Sequence, residues 1–411
     1  MVPNGWKKVD LGSLFDFKNG LNTDKEQYGS GYKFVNVMDV FGNDILTEDK
    51  IIGQVQVSDK ELIAYKLHYG DVLFNRTSET FDEIAMAAVY LDNAVATFGG
   101  FVIRGRPKSY DIYPEYSAFL FQAESYRTQA IKLGQGAVRA NIGQKDLAKV
   151  NVLLPSITEQ KEIAQILYTW DQAILATEKL LENSQQQKKA LMQQLLTGKK
   201  RLLDESGAQF DGEWKLVKVS NLLKVRKERQ VPTAEVPLFS LTIENGITPK
   251  SDRYNREFLV KNTEEKKYKV VRPKDIVYNP ANLRWGAINF SRLNHSVVVS
   301  PIYEVLYVSE KDKVSLEFIA QKLMTKDQIN RFAAMVEGTL VERMAVKIEP
   351  FLATKLSIPP SLKEQQAIAI VLSKADQQIE LLQKKLDCLK QEKKALMQQL
   401  LTGKKRVKVA A

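Results

Sequence analysis

Residues Lys188–Arg201 and Lys393–Arg406 both read KKALMQQLLTGKKR, without a single difference. The copies lie 205 positions apart in a chain of 411 residues. At that offset the match extends backwards without a gap, so that 155–201 and 360–406 share 27 identities in 47 positions. Such a chain folds as two half-molecules, each with a variable front and a nearly fixed back. Like backs behind unlike fronts imply that the backs meet one kind of partner twice.

Each back has the pattern of one long helix. Pro155 and Ser156 form a helix start, with Glu159 three residues on as in a capping box; Pro360, Ser361 and Glu364 repeat it. Alternating steps of four and three then pick out Ile163, Leu167, Trp170, Ile174, Thr177, Leu181, Ser184, Lys188, Leu191 and Leu195. The second copy gives Ile368, Leu372, Ala375, Ile379, Leu382, Leu386, Leu389, Lys393, Leu396 and Leu400. A seam of this kind over about five heptads predicts a coiled coil. Gly198 and Gly403 stand where C-caps belong, followed by cations that suit the negative end of the helix dipole. Each helix has one apolar stripe, and the other copy is its natural cover. An antiparallel pair is expected, because it keeps two similar fronts apart.

The fronts share landmarks but little else. Each opens on a tryptophan (GWKKVDLGSLF, 5–15; EWKLVKVSNLL, 213–223) and has an Asp leading an apolar run, GDVLFN at 70–75 and KDIVYN at 274–279. β-Branched runs follow at 94–105 and 296–308, then amphipathic helical patterns at 116–133 and 316–335. The expected class is α+β, with α/β-like alternation. The expected parts are a front domain at 1–154, a long coiled-coil helix at 155–201, a linker at 202–212, a second front domain at 213–359 and a second long coiled-coil helix at 360–406.

Net charge of +11 points to a polyanion, foremost nucleic acid. A single cysteine, Cys388, permits no internal disulfide, and no apolar run reaches the ~18 residues of a membrane span. A cytoplasmic protein without a membrane partner is expected. Two histidines, His68 and His295, in opposite halves cannot build a zinc site with one cysteine. TGKK at 197–200 lacks the first glycine and the Ser/Thr of a phosphate-binding loop. YNPA at 278–281 lacks the second proline and the aromatic of a methyltransferase loop, and Glu264, Glu265 and Lys266 have no paired Asp to form a nuclease site. No catalytic residue, metal ligand or cofactor site is expected in this chain.

The fronts do carry base-reading chemistry. Arg and Asn bond bidentately to guanine and adenine edges, and basic groups also meet phosphates. Asn75, Arg76 and Thr77 follow the first Asp-led strand; Asn279, Asn282, Arg284 and Trp285 follow the second. Arg104, Arg106, Arg139, Asn141 and Lys145 add to the first set, and Arg292, Arg343 and Lys347 to the second. These are the candidate DNA-binding residues.

With these residues laid out, the whole chain resembles the specificity (S) subunit of a type I restriction–modification system. The resemblance rests on the two copies of P-S-x-x-E-Q-x-x-I-A-x-x-L-x-x-x-D-Q-x-I (155–174 and 360–379) and on the twin tails. GDVLFNRTSET, TFGGFVIRGRP and GAVRANI in the first front, and VYNPANLRWGAINFS with VSPIYEVL in the second, resemble two subgroups. The second departs from its subgroup at Pro280 and Ala281, where a basic residue and a methionine are usual. The resemblance implies a non-catalytic subunit whose fronts each read half of a bipartite, asymmetric site in double-stranded DNA. The helices would set the half-site spacing and dock two methyltransferase (M) subunits, with restriction (R) subunits joining. S-adenosylmethionine and ATP would be bound by those partners. The alternatives are a specificity subunit of a methyltransferase-only complex and a structural coiled-coil protein bridging DNA.

Overall fold

The computed structural model describes residues 2–136, 139–243, 245–249, 266–337 and 344–408. Arg343, Glu264 and Glu265 lie outside the described residues. The chain divides into two compact units, 1–179 with 384–411, and 180–383. Each unit therefore combines one front with part of both long helices, Ile157–Leu195 and Leu362–Leu400. Among the described residues no helix is long and apolar enough to cross a membrane.

In the first unit a five-stranded sheet has the order Phe15–Asn19, Val102–Pro107, Val72–Asn75, Ala87–Tyr90, Ile45–Leu46. Its neighbours are antiparallel except the last pair. The Val72–Asn75 strand is buried at every position, which is why its sequence is a continuous apolar run rather than an alternating one. One cluster joins Phe15, Phe74, Phe121 and Tyr126 to Ile163 and Leu167 of the first long helix and Leu400 and Leu401 of the second. A second cluster gathers Val35, Leu46, Leu73, Tyr90 and Phe98. Strand Lys7–Asp10 pairs with Asn151–Leu154, tying the start of the front to its exit.

The second unit repeats this frame with fewer strands: Leu223–Val225, Glu304–Val308, Ile276–Tyr278 and Ile288–Phe290, all antiparallel. Lys215–Lys218 pairs with Lys355–Ile358 as the closing ribbon. Its main core stacks Tyr278, Phe351 and Phe332 and takes in Leu195, Leu196, Ile368 and Leu372 from the long helices. Strands that pair mainly antiparallel with helices set apart agree with the α+β expectation. The amphipathic stretches at 116–133 and 316–335 each break into two helices, because Ala123 and Thr325 take extended backbone.

Within each unit the helix segments run antiparallel. In the first, Lys393 meets Asp171 at 2.5 Å and Lys390 meets Glu178 at 2.7 Å. In the second, Lys188 meets Asp376. Lys188 and Lys393 are thus the charged members of the seam, and each is answered by an aspartate. Gly198 and Gly403 adopt φ of +73° and +67°, so both helices end in the left-handed cap expected. Lys200 N donates to Gln194 O and Lys405 N to Gln399 O, closing orphan carbonyls in both tails.

The capping-box expectation is half met. Ser156 Oγ accepts from Glu159 N and Ser361 Oγ from Glu364 N, both at 3.3 Å. The Glu159 carboxylate does not turn back to its own cap, because Trp6 Nε1 and Arg406 take it, at 3.1 Å from Oε2 and 2.7 Å from Oε1. A charged donor on a buried carboxylate outcompetes a neutral backbone N–H.

Candidate nucleic-acid interface

In the first unit the Val72–Asn75 strand ends at Asn75, which is fully buried. Its Oδ1 accepts from Thr77 N at 3.3 Å and its Nδ2 donates to Glu83 O at 3.2 Å. This is an Asx turn that aims the chain out of the sheet. Arg76 and Thr77 come next, beside a second segment whose ends they hold. Arg76 O accepts from Ile142 N, Thr77 pairs in register with Asn141, and Thr77 Oγ1 donates to Asn141 Oδ1 at 2.8 Å. Arg76 Nη1 reaches Gly100 O at 3.3 Å. Arg139 is exposed, and with Met38, Phe41, Thr77, Glu79 and Phe101 it lines a cleft of about 670 Å³. The structure thus brings Arg76, Thr77, Arg139 and Asn141 together, and Lys145 lies exposed just beyond them on helix Gln144–Leu147.

The second unit builds the same turn from different residues. Asn279 is 8% exposed and its Oδ1 accepts from Ala281 N at 3.1 Å. Val346 N donates to Pro280 O, as Ile142 N does to Arg76 O. Pro280 and Ala281, the departures noted in the sequence, therefore stand where the first unit has Arg76 and Thr77. The side chains able to bond or stack lie a few residues on. Asn282 opens a 3₁₀ turn, Leu283–Trp285, with Arg284 over the Trp285 ring at 4.1 Å and its Nη1 3.3 Å from Met344 Sδ. Trp285 is 58% exposed, a flat apolar face set beside a guanidinium. Lys347 is exposed next to Val346 and pairs with Glu337 at 2.8 Å.

Other candidates are placed elsewhere. Asn75 presents no amide edge at the surface, because the backbone of its own turn has claimed both ends of it, and Asn279, 8% exposed, has its Oδ1 claimed in the same way. Arg106 sits at the opposite end of the strand and makes a bidentate pair with Asp71, at 2.9 and 2.7 Å. Arg104 is 7% exposed; burial pulls its pKa down, and its Nε and Nη1 meet no acceptor among the described residues. Arg292 follows Ser291, whose N donates to Asp275 O, so it too lies at the far end from Trp285. Arg292 is exposed there, over the Phe290 ring.

The aspartate that leads each strand is a lock. Asp71 and Asp275 accept from His68 N and Arg272 N respectively, closing a turn, and each grips an arginine. In the second unit the arginine is Arg226, at 2.5 and 2.8 Å, and hydrogen bonding to Asp275 holds its pKa above the ordinary value. Arg226 occupies the edge-strand position of Lys18, while Tyr307 stands in place of Arg106 and lies 4.8 Å beneath the guanidinium. The lock is kept and its arginine has changed strands.

Sequence reasoning missed the anchors in the repeated motif. Gln160 and Gln365, both essentially buried, accept from Tyr113 N and Ser315 N and donate to Pro155 O and Pro359 O. Their presence in both copies of the motif was the available signal. Met38 and Phe101, 75% and 65% exposed beside the Arg139 cleft, were also missed; isolated apolar residues in a loop carry no pattern.

The family model described as type I restriction modification DNA specificity domain matches the chain twice, over residues 3–184 and 212–391. A putative type I restriction enzyme MjaX specificity subunit of Methanocaldococcus jannaschii is 25% identical, over 99% of this chain and 95% of its own. The S subunit of a type I restriction-modification system from M. genitalium superimposes with a TM-score of 0.58 at 13% identity, covering 98% of both chains. A chain from a structure concerned with complex assembly and conformational transition of the type I R-M system gives 0.52 at 15% identity, again over 98% of both. These structural likenesses concern the fold.

Proposed function

The chain belongs to the type I restriction modification DNA specificity family, and from that premise we propose that it is the non-catalytic subunit that selects the DNA sequence. Each front reads one half of a bipartite, asymmetric target in double-stranded DNA. The paired helices set the spacing between the halves and dock two modification (methyltransferase) subunits, which restriction subunits join. S-adenosylmethionine and ATP are bound by those partners, and the complex works in the cytoplasm.

One observation carries this reading. A single backbone frame, the Asx turn clamped through Arg76 O–Ile142 N and Pro280 O–Val346 N, occurs in both units and displays different side chains in each. Arg76, Thr77, Arg139 and Asn141 offer hydrogen bonds to base edges and phosphates; Asn282, Arg284 and Trp285 offer an amide, a guanidinium and a stacking face. A fixed frame with variable contents suits two readers of two different words.

The test is reconstitution. The chain with its modification subunit is expected to methylate one bipartite sequence, and the chain alone to methylate none. Deleting matched heptads from both helices is expected to change the required spacing and leave both half-site words intact. Methylation by the chain alone, or unchanged spacing, contradicts the reading.

A further inference from the structure

The identical tails line two grooves, one in each unit. In the second unit Lys189, Met192, Leu196 and Lys199 contribute to a groove of about 810 Å³. In the first unit Lys394, Met397, Leu401 and Lys404, the same residues 205 positions on, contribute to one of about 610 Å³. Both floors set a half-buried methionine among lysines beside a buried leucine, a surface that suits an acidic amphipathic helix, with the flexible methionine fitting its apolar face. A DNA backbone needs the cations but has no use for the apolar strip.

The walls differ. Tyr113 and Ser315 occupy equivalent places, each donating its N–H to the anchoring glutamine of the motif. Counting from them, Glu124 in the first unit corresponds to Lys326 in the second, Gln129 to Arg331 and Leu120 to Lys322. The second groove is therefore walled by two exposed cations, Lys326 and Arg331, against the single carboxylate of Asp327, while Lys322 is buried with its ammonium bonded to Leu196 O; the first has Glu124 and no wall cation. Two of the four lysines of the first groove, Lys390 and Lys393, are already paired with Glu178 and Asp171. In the second, Lys188 is paired with Asp376, and Lys189, Lys199, Lys326 and Arg331 have no ion pair among the described residues.

We propose that the two docking grooves are unequal, and that an acidic amphipathic segment of the modification subunit fills the groove of the 180–383 unit first and more tightly than the other. The inference rests on the reading that two copies of one modification subunit dock on the repeated helices. Loading then passes through a defined one-to-one complex, with the second copy bound weakly and in a more salt-sensitive equilibrium.

Native mass spectrometry of the full-length chain titrated with the source cell's modification subunit, without DNA, tests this. A one-to-one species is expected to accumulate, with the first copy bound about tenfold tighter than the second. The double variant K326E and R331E, at exposed positions, is expected to abolish that gap, and E124K to narrow it by strengthening the second step. Two steps in the ratio that identical independent sites give by counting alone overturn the inference while the docking reading stands. No complex at any ratio overturns the docking reading and the inference with it. Should K326E and R331E weaken DNA binding and leave subunit binding unchanged, the groove belongs to DNA and the proposal fails.

Discussion

Arg406 grips Glu159 from 247 positions away in the chain, with Nε 2.7 Å from Oε1 and Nη2 2.9 Å from Oε2. Arg201 holds Glu364 in the same way, at 2.5 and 2.7 Å. The two pairs are copies of one another at the 205-residue offset. The shared arginine at the end of each tail thus has an internal task, seating a front on the start of the opposite helix, in addition to any partner it meets.

Removing the Arg406 side chain is expected to destabilise the chain, though by less than breaking a fully buried pair does, because the guanidinium is 45% exposed. R406K recovers only part, since lysine cannot make the two-pronged contact. Burial alone would raise the pKa of Glu159, but hydrogen bonds from Arg406 and Trp6 outweigh it and leave the carboxyl below its ordinary value of 4.5. The resulting stability is present above pH 4.5 and is lost as pH falls through the lowered folded value. Denaturant unfolding of wild type and E159Q is expected to show a gap that closes on acidification. A gap that is independent of pH contradicts the pairing.

Asn75 and Asn279 are expected to behave as turn residues. N75A and N279A should each cost about 1–2 kcal/mol of stability through unpaired backbone N–H groups, with the DNA target unchanged. Thermal unfolding together with target mapping checks both halves of the statement. A stable N75A chain with an altered target would restore this residue to the reading surface.

These residues show where the sequence was legible and where it was not. Local signals served well: Gly198 and Gly403 ended the helices, Ser156 and Ser361 began them, and the heptad seam ran as read. Burial of polar side chains was not legible. VLFN at 72–75 has no alternation, so nothing marked Asn75 as interior, and Arg104 looked like any surface arginine until Phe98 and the sheet covered it. Partners far along the chain were equally hidden, as with Arg106 and Asp71 or Arg406 and Glu159. Trp285 stood out in the sequence only by its place beside Arg284, and its 58% exposure is legible only in the fold.

Lys322 provides a check at alkaline pH. Its Nζ donates to Leu196 O at the end of the first long helix and lies 5.4 Å from the Trp214 ring. Burial, then the charge of Arg331, lowers its pKa from 10.5 to about 8. Between these values the unfolded chain binds more protons than the folded one, so this group makes stability rise with pH. The cost of the buried ammonium is fully present below pH 8 and gone above 10.5. K322M lacks that slope, and the wild-type advantage over it is expected to grow between about pH 7 and pH 10 in denaturant titrations. A constant or shrinking advantage contradicts the buried-lysine assignment.

The most direct measurement is a map of methylated sites produced by the reconstituted complex, comparing wild type with T77A and R139A together, and with R284A and W285A together. Removing one bidentate hydrogen-bond pair to a base relaxes discrimination by about 1–3 kcal/mol, so the affected positions become degenerate. The first double variant is expected to blur one half-site only, the second the other half-site only, with the spacing between them unchanged in both. Blurring of both halves by either variant, or an unaltered target in both, would contradict the assignment of one word of DNA to each front.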